Sequence, residues 1–420
     1  MSVNTIIVNE TLPIKGSYDV IVAGGGMAGI AAALAAARKG ANVLLAERQC
    51  ILGGLGTGGL VNYWVPLCNG RGKLVMTGMA EEMFKLSVKH GYDCLPDEWK
   101  NGEPKEGTSE RCATLYSIGI FSTLLLRELR NNNVDVLYDV LASKPIMTGN
   151  HADGIIIDGK SGRQCYLCKF LIDATGDADL LERAGVPTIA GENYYTYMAH
   201  GISLDSCKTA IQKGNVVYAF THLTTRLDTL SFLKSGSDYK GISTELENAY
   251  LQESQLAILE KEINKPRNER DISILPTMPQ LRMTRCIEGD TIFSVNHMYQ
   301  HEDTSIGVIC DYGKRDCVYE VPFGTLVNRN YDNLITCGRS AAATGEGWDV
   351  LRVIPCAVLT GQAAGTAAAM ATKDNISISS VPIQNLQHVL ANDGVMIHID
   401  DKLIPEDMGK SGEKVESDEY

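Results

Sequence analysis

The sequence predicts an α/β protein with a doubly wound, Rossmann-like domain that includes a β-meander and carries an inserted α+β domain. Three observations lead to this fold. A strand, a glycine-rich turn, a helix and a second strand follow one another over residues 18–47, which is the order of a parallel βαβ unit. Residues 134–172 alternate short apolar runs with turn residues, as a small meander does. Glycine, with 41 residues in the chain, becomes sparse over residues 191–320, where polar and helix-forming residues prevail.

Size and charge limit the classes of function. The 420 residues are enough for about two to three domains. A net charge of −13 without a Lys/Arg-rich run argues against nucleic acid and against an anionic membrane surface. The chain does not open on a secretory signal, and its apolar stretches are interrupted before they could span a bilayer. We therefore expect a cytoplasmic protein without membrane contact.

The cysteines do not predict a disulfide framework or a metal site. Twelve are scattered through a large chain, for which reduced thiols are the default. In the closest pair, Cys165 precedes the apolar run of residues 166–172 and Cys168 lies within it. No second pair follows at zinc-site spacing. We interpret this pair as strand residues, and no metal is predicted.

The first glycine-rich turn gives the strongest functional signal. Residues 24–29 satisfy G-x-G-x-x-G, with Gly24 for the tight turn, Gly26 for the backbone approach to a pyrophosphate and Gly29 for helix packing. Glu47 closes the next strand, where an acidic residue accepts hydrogen bonds from a ribose 2′-hydroxyl and disfavours NADP. The alternative is a glycine-rich turn without a ligand.

Three further segments favour FAD over NAD, which shares this fingerprint. Residues 52–59 form a second glycine-rich strip that a long ligand can cross. Residues 174–177 read Ala-Thr-Gly-Asp after a buried strand. Residues 333–339 form a late strand that ends in glycine, and a helix with Pro355 at its start and residues 361–365 inside it follows.

With these segments, residues 18–371 resemble the FAD-dependent oxidoreductases of the glutathione-reductase superfamily, above all a broad bacterial branch whose members mostly lack an assigned substrate. The resemblance implies non-covalently bound FAD. By this resemblance, the first fingerprint and Glu47 bind the ADP half of FAD, and Asp177 contacts the cofactor at the Ala-Thr-Gly turn. Gly338 and Arg339 contact the pyrophosphate and the ribityl chain. The residues expected to bind FAD are Gly24, Gly26, Met27, Ala28, Gly29, Glu47, Arg48, Gly53, Gly54, Thr57, Gly58, Val140, Ala174, Thr175, Gly176, Asp177, Gly338, Arg339 and Gly361.

Departures from better-known relatives narrow the chemistry. Disulfide reductases of the superfamily carry a redox cysteine pair soon after the first motif, but Cys50 and Cys68 are too far apart to match it. No second nucleotide fingerprint follows a strand between residues 177 and 320. We therefore expect a separate electron donor or acceptor, oxygen, or NAD(P)H bound transiently at the same face.

Candidates for substrate chemistry are few. Arg282 and Arg285, three apart, are placed to face a carboxylate or the flavin, or to form structural ion pairs. His297 and His301 are candidate acids or bases, with satisfied surface histidines as the alternative and no third residue at metal-ligand spacing. Arg352 precedes the late helix, whose N-terminus would stabilise negative charge on a reduced flavin; an ordinary surface ion pair is the alternative.

The long helix predicted from residue 244 to 264 belongs to the inserted domain. A capping box from Thr244 to Glu247 opens it. Its apolar residues recur on one face, which we expect to pack against the core. These residues are Leu246, Ala249, Leu256, Leu259 and Ile263.

These predictions combine into one assignment. Residues 1–190 and 321–375 form the FAD-binding domain, residues 191–320 the inserted substrate domain, and residues 376–420 a C-terminal extension that is partly disordered. The predicted function is hydride transfer between FAD and a small organic substrate, as a dehydrogenase or a reductase. The alternatives are a flavin monooxygenase and a module in which FAD is structural. Whether the chain forms a homo-oligomer is left open.

Overall fold

The computed structural model describes residues 6–95, 97–100, 112–193, 196–226 and 240–406. Within these ranges the helices are α1 Met27–Arg38, α2 Met79–Val88, α3 Asp97–Lys100, α4 Ile118–Asn131, α5 Asp179–Ala184, α6 Leu204–Lys213, α7 Thr244–Ile263, α8 Glu346–Leu351, α9 Ile354–Asp374 and α10 Ile383–Asn392. The strands are β1 Ile14–Ala23, β2 Val43–Ala46, β3 Tyr63–Trp64, β4 Thr114–Leu115, β5 Asp135–Leu137, β6 Leu141–Thr148, β7 His151–Gly159, β8 Gly162–Asp173, β9 Thr188–Ala190, β10 Thr196–Ile202, β11 Phe220–Arg226, β12 Arg285–Ile287, β13 Ser305–Cys310, β14 Val318–Pro322 and β15 Leu334–Thr336.

A seven-stranded sheet forms the centre of the fold. Its order is β5-β2-β1-β8-β7-β6, and β15 pairs with the end of β8. The pairs β1–β2, β1–β8, β2–β5 and β8–β15 are parallel, whereas β6, β7 and β8 form an antiparallel meander. The predicted α/β fold class and its meander are confirmed. One detail differs, because β5 joins the parallel part of the sheet beside β2 instead of the meander.

Two helices made of small residues pack backbone to backbone over this sheet. Alanine fills most of α1, and α9 presents glycines to it. A Cβ atom at Gly361 would lie 2.1 Å from the carbonyl oxygen of Ala28, and one at Gly365 would lie 2.0 Å from that of Ala32. These contacts leave no room for a side chain on α9, so the two glycines set the distance between the helices.

By length and composition, α9 is the one helix in the described ranges that could cross a membrane, with a mean hydropathy of 1.2 over its most apolar window. Its surroundings are protein, because 83% of that window is buried inside the molecule. Buried core helices of α/β proteins commonly have this composition. We interpret α9 as the central core helix.

The long helix α7 buries a different face from the predicted one. Tyr250, Ser254, Ile258 and Glu262 are its buried residues, and they pack on β10 and β11 in a small cluster separate from the main core. Leu256, Leu259 and Ile263 are exposed instead, so the predicted apolar stripe is wrong. The cap also differs, since the hydroxyl of Ser243 accepts the first-turn amide of Leu246.

The antiparallel pair β13–β14 packs with the main core. Residues of both strands belong to the same apolar cluster as α1 and α9. A C-terminal segment of residues 394–403 lies against this pair, where the amide of Val308 donates to the carbonyl of Met396 at 2.8 Å. Residues 407–420, the end of the tail predicted to be disordered, lie outside the described residues, and the domain boundaries stay predictions.

Two alanine substitutions test the contact between α1 and α9. Gly365→Ala adds a Cβ atom where a backbone oxygen already lies, so we expect it to lower the free energy of unfolding by about 1–3 kcal/mol. Gly119 in α4 has nothing within 4 Å of its Cβ position, and Gly119→Ala should be stabilising by up to about 1 kcal/mol through helix propensity alone. Chemical denaturation of both variants measures the difference. Equal stabilisation by the two substitutions would contradict the packing described here.

Candidate cofactor-binding site

A cavity of about 510 Å³ opens at the carboxyl ends of the parallel strands, where ligands of doubly wound folds bind. Most of the residues predicted to bind FAD line it. They are Gly24, Gly26, Met27, Ala28, Glu47, Arg48, Gly53, Gly54, Val140, Ala174, Thr175, Gly176, Asp177, Gly338 and Arg339. The sequence motifs therefore converge on one pocket.

The first glycine turn brings backbone to the pocket surface. Gly24 has φ +107°, and a Cβ atom there would lie 2.3 Å from the carbonyl oxygen of Ala174. Gly26 is the N-cap of α1, and no side chain caps this helix. Because the first amides of a helix are left without intrahelical partners, the α1 N-terminus presents donors and a positive dipole end to the pocket.

Glu47 is held by the backbone of two loops. Its carboxylate accepts the amide of Gly25 at 2.5 Å and the amide of Gln49 at 2.9 Å. Burial raises the pKa of this carboxyl, although the backbone hydrogen bonds oppose the shift. The position suits the predicted ribose acceptor, since the backbone hydrogen bonds from Gly25, Arg48 and Gln49 do not use all four lone pairs of the carboxylate.

The second glycine strip lies beside the first. The amide of Gly53 donates to the carbonyl of Gly25 at 2.8 Å, and Gly53 and Gly54 have φ +104° and +55°. Both line the pocket, whereas Thr57 is buried behind the strip and donates to the carbonyl of Leu52 at 2.5 Å. The strip thus offers backbone on one side and a structural hydroxyl on the other.

Four of the predicted FAD-binding residues do not line the pocket: Gly29, Thr57, Gly58 and Gly361. Close approach of backbone explains the two helical glycines, because a Cβ atom at Gly29 would lie 1.9 Å from the carbonyl oxygen of Gly24, and Gly361 contacts α1. Gly58 packs against the side chains of Gln49 and Thr277. The geometry gives these residues a packing role.

Two arginine–aspartate pairs form a charged wall. Arg339 Nη2 lies 2.7 Å from Asp177 Oδ1, and Arg285 Nη2 lies 2.6 Å from Asp179 Oδ1. Arg285 also donates to the carbonyl of Asp177. The Nε atom of Arg339 is buried without a hydrogen-bond partner, and such a donor in a pocket wall fits an anionic or carbonyl ligand group. Gly176 makes room for this guanidinium, since a Cβ atom there would lie 2.9 Å from it.

The N-terminus of α9 forms another part of the pocket boundary. Ile354 and Ala357 line the pocket, no side chain caps the helix, and Pro355 lies in its first turn as predicted. Arg352 also lines the pocket, and its Nη2 atom lies 2.5 Å from Asp349 Oδ1. Arg352 therefore combines both interpretations of the sequence, as a pocket residue that forms an ion pair.

The predicted inserted domain covers the pocket with two segments, residues 241–247 and 278–281. The second is tied down at its ends, because the amide of Thr277 donates to the carbonyl of Gly58 at 2.9 Å and Gln280 Nε2 donates to that of Gly59 at 2.6 Å. Glu247 of the first segment has a pKa raised by burial, with Arg48 acting against the shift. The sequence did not single out this carboxyl as a pocket residue, since its spacing fits a helix cap.

Three of the five candidates for substrate chemistry, Arg282, His297 and His301, do not line the pocket. Arg282 is absent from the lining, and its amide donates to Asn193 Oδ1 at 2.8 Å. His297 lies in a half-exposed turn with Nδ1 3.2 Å from Glu302 Oε1. Their separation from the pocket gives no support to direct contact with substrate. Arg285 and Arg352 remain as the candidates that reach the pocket.

The residues present fit a dinucleotide. Two uncapped helix N-termini, the glycine backbone at residues 24, 26, 53 and 54, and the unpartnered Nε of Arg339 suit phosphate and carbonyl oxygens. Glu47 suits a ribose hydroxyl. Together they would hold FAD along the floor and wall of the pocket.

Gly26→Val tests whether the cofactor needs this backbone. No described atom lies within 4 Å of the Cβ position, so the variant should fold while its side chain blocks the approach of a pyrophosphate. We expect FAD affinity to fall by about 100-fold or more, about 2.8 kcal/mol. The FAD-to-protein ratio from absorbance after gel filtration measures it, and Gly119→Val, also with open space, is the matched control. Normal FAD content in the Gly26 variant would show that the cofactor does not approach this turn.

Comparison with solved structures finds distant similarity along most of the chain. A p-nitrophenol 4-monooxygenase from Pseudomonas putida is 14% identical with a TM-score of 0.48, covering 90% of this chain and 84% of that one. A geranylgeranyl bacteriochlorophyll reductase-like protein from Thermoplasma acidophilum is 13% identical with a TM-score of 0.46, covering 94% and 96%. The anhydrotetracycline hydroxylase OxyS from Streptomyces rimosus is 12% identical with a TM-score of 0.46, covering 89% and 65%.

A search of curated protein sequences finds no match. A family profile does match, the one described as FAD dependent oxidoreductase, over residues 19–201 and 294–390. These segments make up more than half of the chain and contain the glycine turn, Glu47, the Ala-Thr-Gly-Asp turn and α9. The gap between the two matched segments, residues 202–293, holds both segments that cover the pocket. The chain belongs to the FAD-dependent oxidoreductase family, with FAD as its cofactor.

Proposed function

We propose that this flavoprotein transfers a hydride between non-covalently bound FAD and a small organic substrate, and that a separate donor or acceptor restores the cofactor. The observation that carries the proposal is a single pocket with the N-terminus of α1 at one boundary and that of α9 at another. FAD supplies hydride chemistry when it is bound. The protein supplies binding, charge and cover.

The floor and wall of the pocket have separate tasks in this proposal. The free amides of α1 and the Nε of Arg339 bind the anionic middle of the cofactor. Glu47 fixes the ribose. The α9 N-terminus and Arg352 provide positive potential where Ile354 and Ala357 line the pocket. This positive potential favours negative charge on a ligand group at the α9 end of the pocket.

Non-covalent binding is supported by the side chains around the pocket. Within the described residues its lining contains no histidine or tyrosine, and its single thiol is Cys337. That thiol is buried, and burial raises its pKa well above the ordinary value. A nucleophile for attachment to the cofactor is therefore not supplied from this wall, since the thiolate is the reactive form.

Glu247 has a binding role in this proposal. The charged groups that act on it are Arg48, Asp177 and Asp179, which line the pocket after the carboxyl ends of β2 and β8. A carboxyl among these groups is placed to cover the nucleotide part of the ligand. The first covering segment, residues 241–247, thus acts as a closure over the cofactor.

Anaerobic titration of the purified holoprotein tests the function. Hydroxylated, amino and unsaturated metabolites are added in turn, and the visible flavin band is followed. Loss of the band with one class of compound supports hydride transfer from that class. Oxygen-coupled consumption of NAD(P)H with product formation would instead support the monooxygenase. A flavin that dithionite reduces, that none of the metabolites reduces, and that none of them reoxidises after reduction would favour a structural cofactor.

Arg352→Met tests the charge at the α9 end of the pocket. We expect FAD to stay bound and substrate-dependent reduction to slow by about 10-fold, about 1.4 kcal/mol, because positive potential is lost where charge develops. Stopped-flow absorbance measures the rate. Arg329→Met is the matched control, since this exposed arginine pairs with Asp290 and does not line the pocket. Equal rates in the two variants would remove Arg352 from the mechanism.

A further inference from the structure

Two histidines and one glutamate from distant parts of the chain meet away from the pocket. His301 Nδ1 lies 2.8 Å from Glu320 Oε1, and His398 Nδ1 lies 2.9 Å from Glu320 Oε2. One ligand atom from each of the three residues lies within 4.8 Å of the other two. Sequence spacing singled out His301 but did not predict this cluster, because Glu320 and His398 lie 19 and 78 residues from their partners and the C-terminal extension contributes His398.

The carboxylate at the centre is fixed before any ligand arrives. Glu320 lies on β14 with a fully buried side chain. Its Oε2 atom accepts the amide of Glu302 and its Oε1 atom accepts the amide of Ile399, each at 2.8 Å. Such backbone hydrogen bonds orient a metal-binding carboxylate and leave each oxygen a lone pair that faces the imidazoles.

The imidazoles leave the cluster open to solvent. The side chains of His301 and His398 are 54% and 47% exposed, and their ring centroids are 5.9 Å apart. An ion can therefore reach the ligand atoms without unfolding, and water can complete its coordination. Asp401 Oδ1 lies 3.7 Å from His301 Nε2, on the side of the ring where carboxylates orient metal-bound histidines.

The spacing of the ligand atoms suits a small ion. Zinc binds imidazole nitrogen and carboxylate oxygen at about 2.0–2.1 Å, so neighbouring ligands of a tetrahedral ion lie about 3.3 Å apart. The nitrogen–oxygen distances of 2.8 and 2.9 Å need to lengthen by a few tenths of an ångström, and the two imidazole nitrogens, which lie within 4.8 Å of each other, must take up the same spacing. Imidazole ligands select zinc and its neighbours among the transition metals over magnesium or calcium.

We propose that His301, Glu320 and His398 form a binding site for a divalent transition-metal ion of the zinc class, with water in the remaining coordination position. On binding, each Nδ1 atom gives its lone pair to the ion, and the proton that it shared with Glu320 moves to Nε2 or to solvent. The ion replaces two hydrogen bonds to the carboxylate by coordinate bonds.

The ion ties the C-terminal segment to the core. His398 belongs to this segment, Glu320 to β14, and His301 to the loop before β13. None of the three residues lines the FAD pocket. The site therefore acts on the attachment of residues 394–403, and its occupation is independent of the proposed hydride transfer.

Zinc binding by the full-length holoprotein tests the site. The protein is stripped with chelator, and Zn²⁺ is titrated in competition with a chromophoric chelator. We expect one ion with a Kd of about 1 μM or tighter, and a loss of about 100-fold or more in His398→Asn and in His301→Asn. His388→Asn, which changes an exposed histidine of α10, is the matched control.

Further measurements separate this site from adventitious binding and misfolding. Exposed Cys50 is another group that binds zinc, so only ions lost in both histidine variants and kept in the control count as bound at the cluster. FAD content and circular dichroism establish that the variants fold. In wild type and in the His388→Asn control, but not in the His301 and His398 variants, Zn²⁺ should also raise the melting temperature and slow proteolysis after residue 392. Wild type that binds no ion more tightly than both variants would overturn the proposal, even if hydride transfer is established.

Discussion

The contact between α1 and α9 determines where the rest of the site can lie. Gly361 and Gly365 let the two helices approach until backbone meets backbone. Gly338 sits at the same junction, because its amide donates to Thr360 Oγ1 at 2.9 Å and a Cβ atom there would lie 2.8 Å from that of Ala28. A larger residue at any of these positions would separate the helices. Two helix N-termini and a glycine turn are thereby brought to one pocket.

Local patterns were enough to predict the floor of this pocket. A strand, glycine turn and helix within one short stretch give Gly24, Gly26 and Glu47 their places with little help from the remaining chain. The same reasoning failed for Gly361. A glycine exposes backbone both where a cofactor binds and where a neighbouring helix packs, and only the tertiary structure distinguishes these two roles.

Long-range contacts and small packing surfaces account for the other differences. In the described part of the chain α7 packs on β10 and β11, and its buried stripe includes Ser254 and Glu262, whereas Leu256 and Leu259 are exposed. Periodicity could not reveal this choice, because it assumes that the most apolar face is the buried one. Sequence spacing also did not predict that His301, Glu320 and His398 lie close together.

Hydrogen bonds between parts of the chain that are far apart in sequence have a consequence for biosynthesis. The amide of Met79 donates to Gln362 across 283 residues, and the amide of Met396 donates to Thr77 across 319. Ribosomes add about 5–20 residues per second, so the apolar surface of the first βαβ unit waits on the order of tens of seconds for its covering helix. During that time the nascent N-terminal half exposes α1 to solvent and to chaperones. These contacts therefore form only after Gln362 and Met396 have been synthesised.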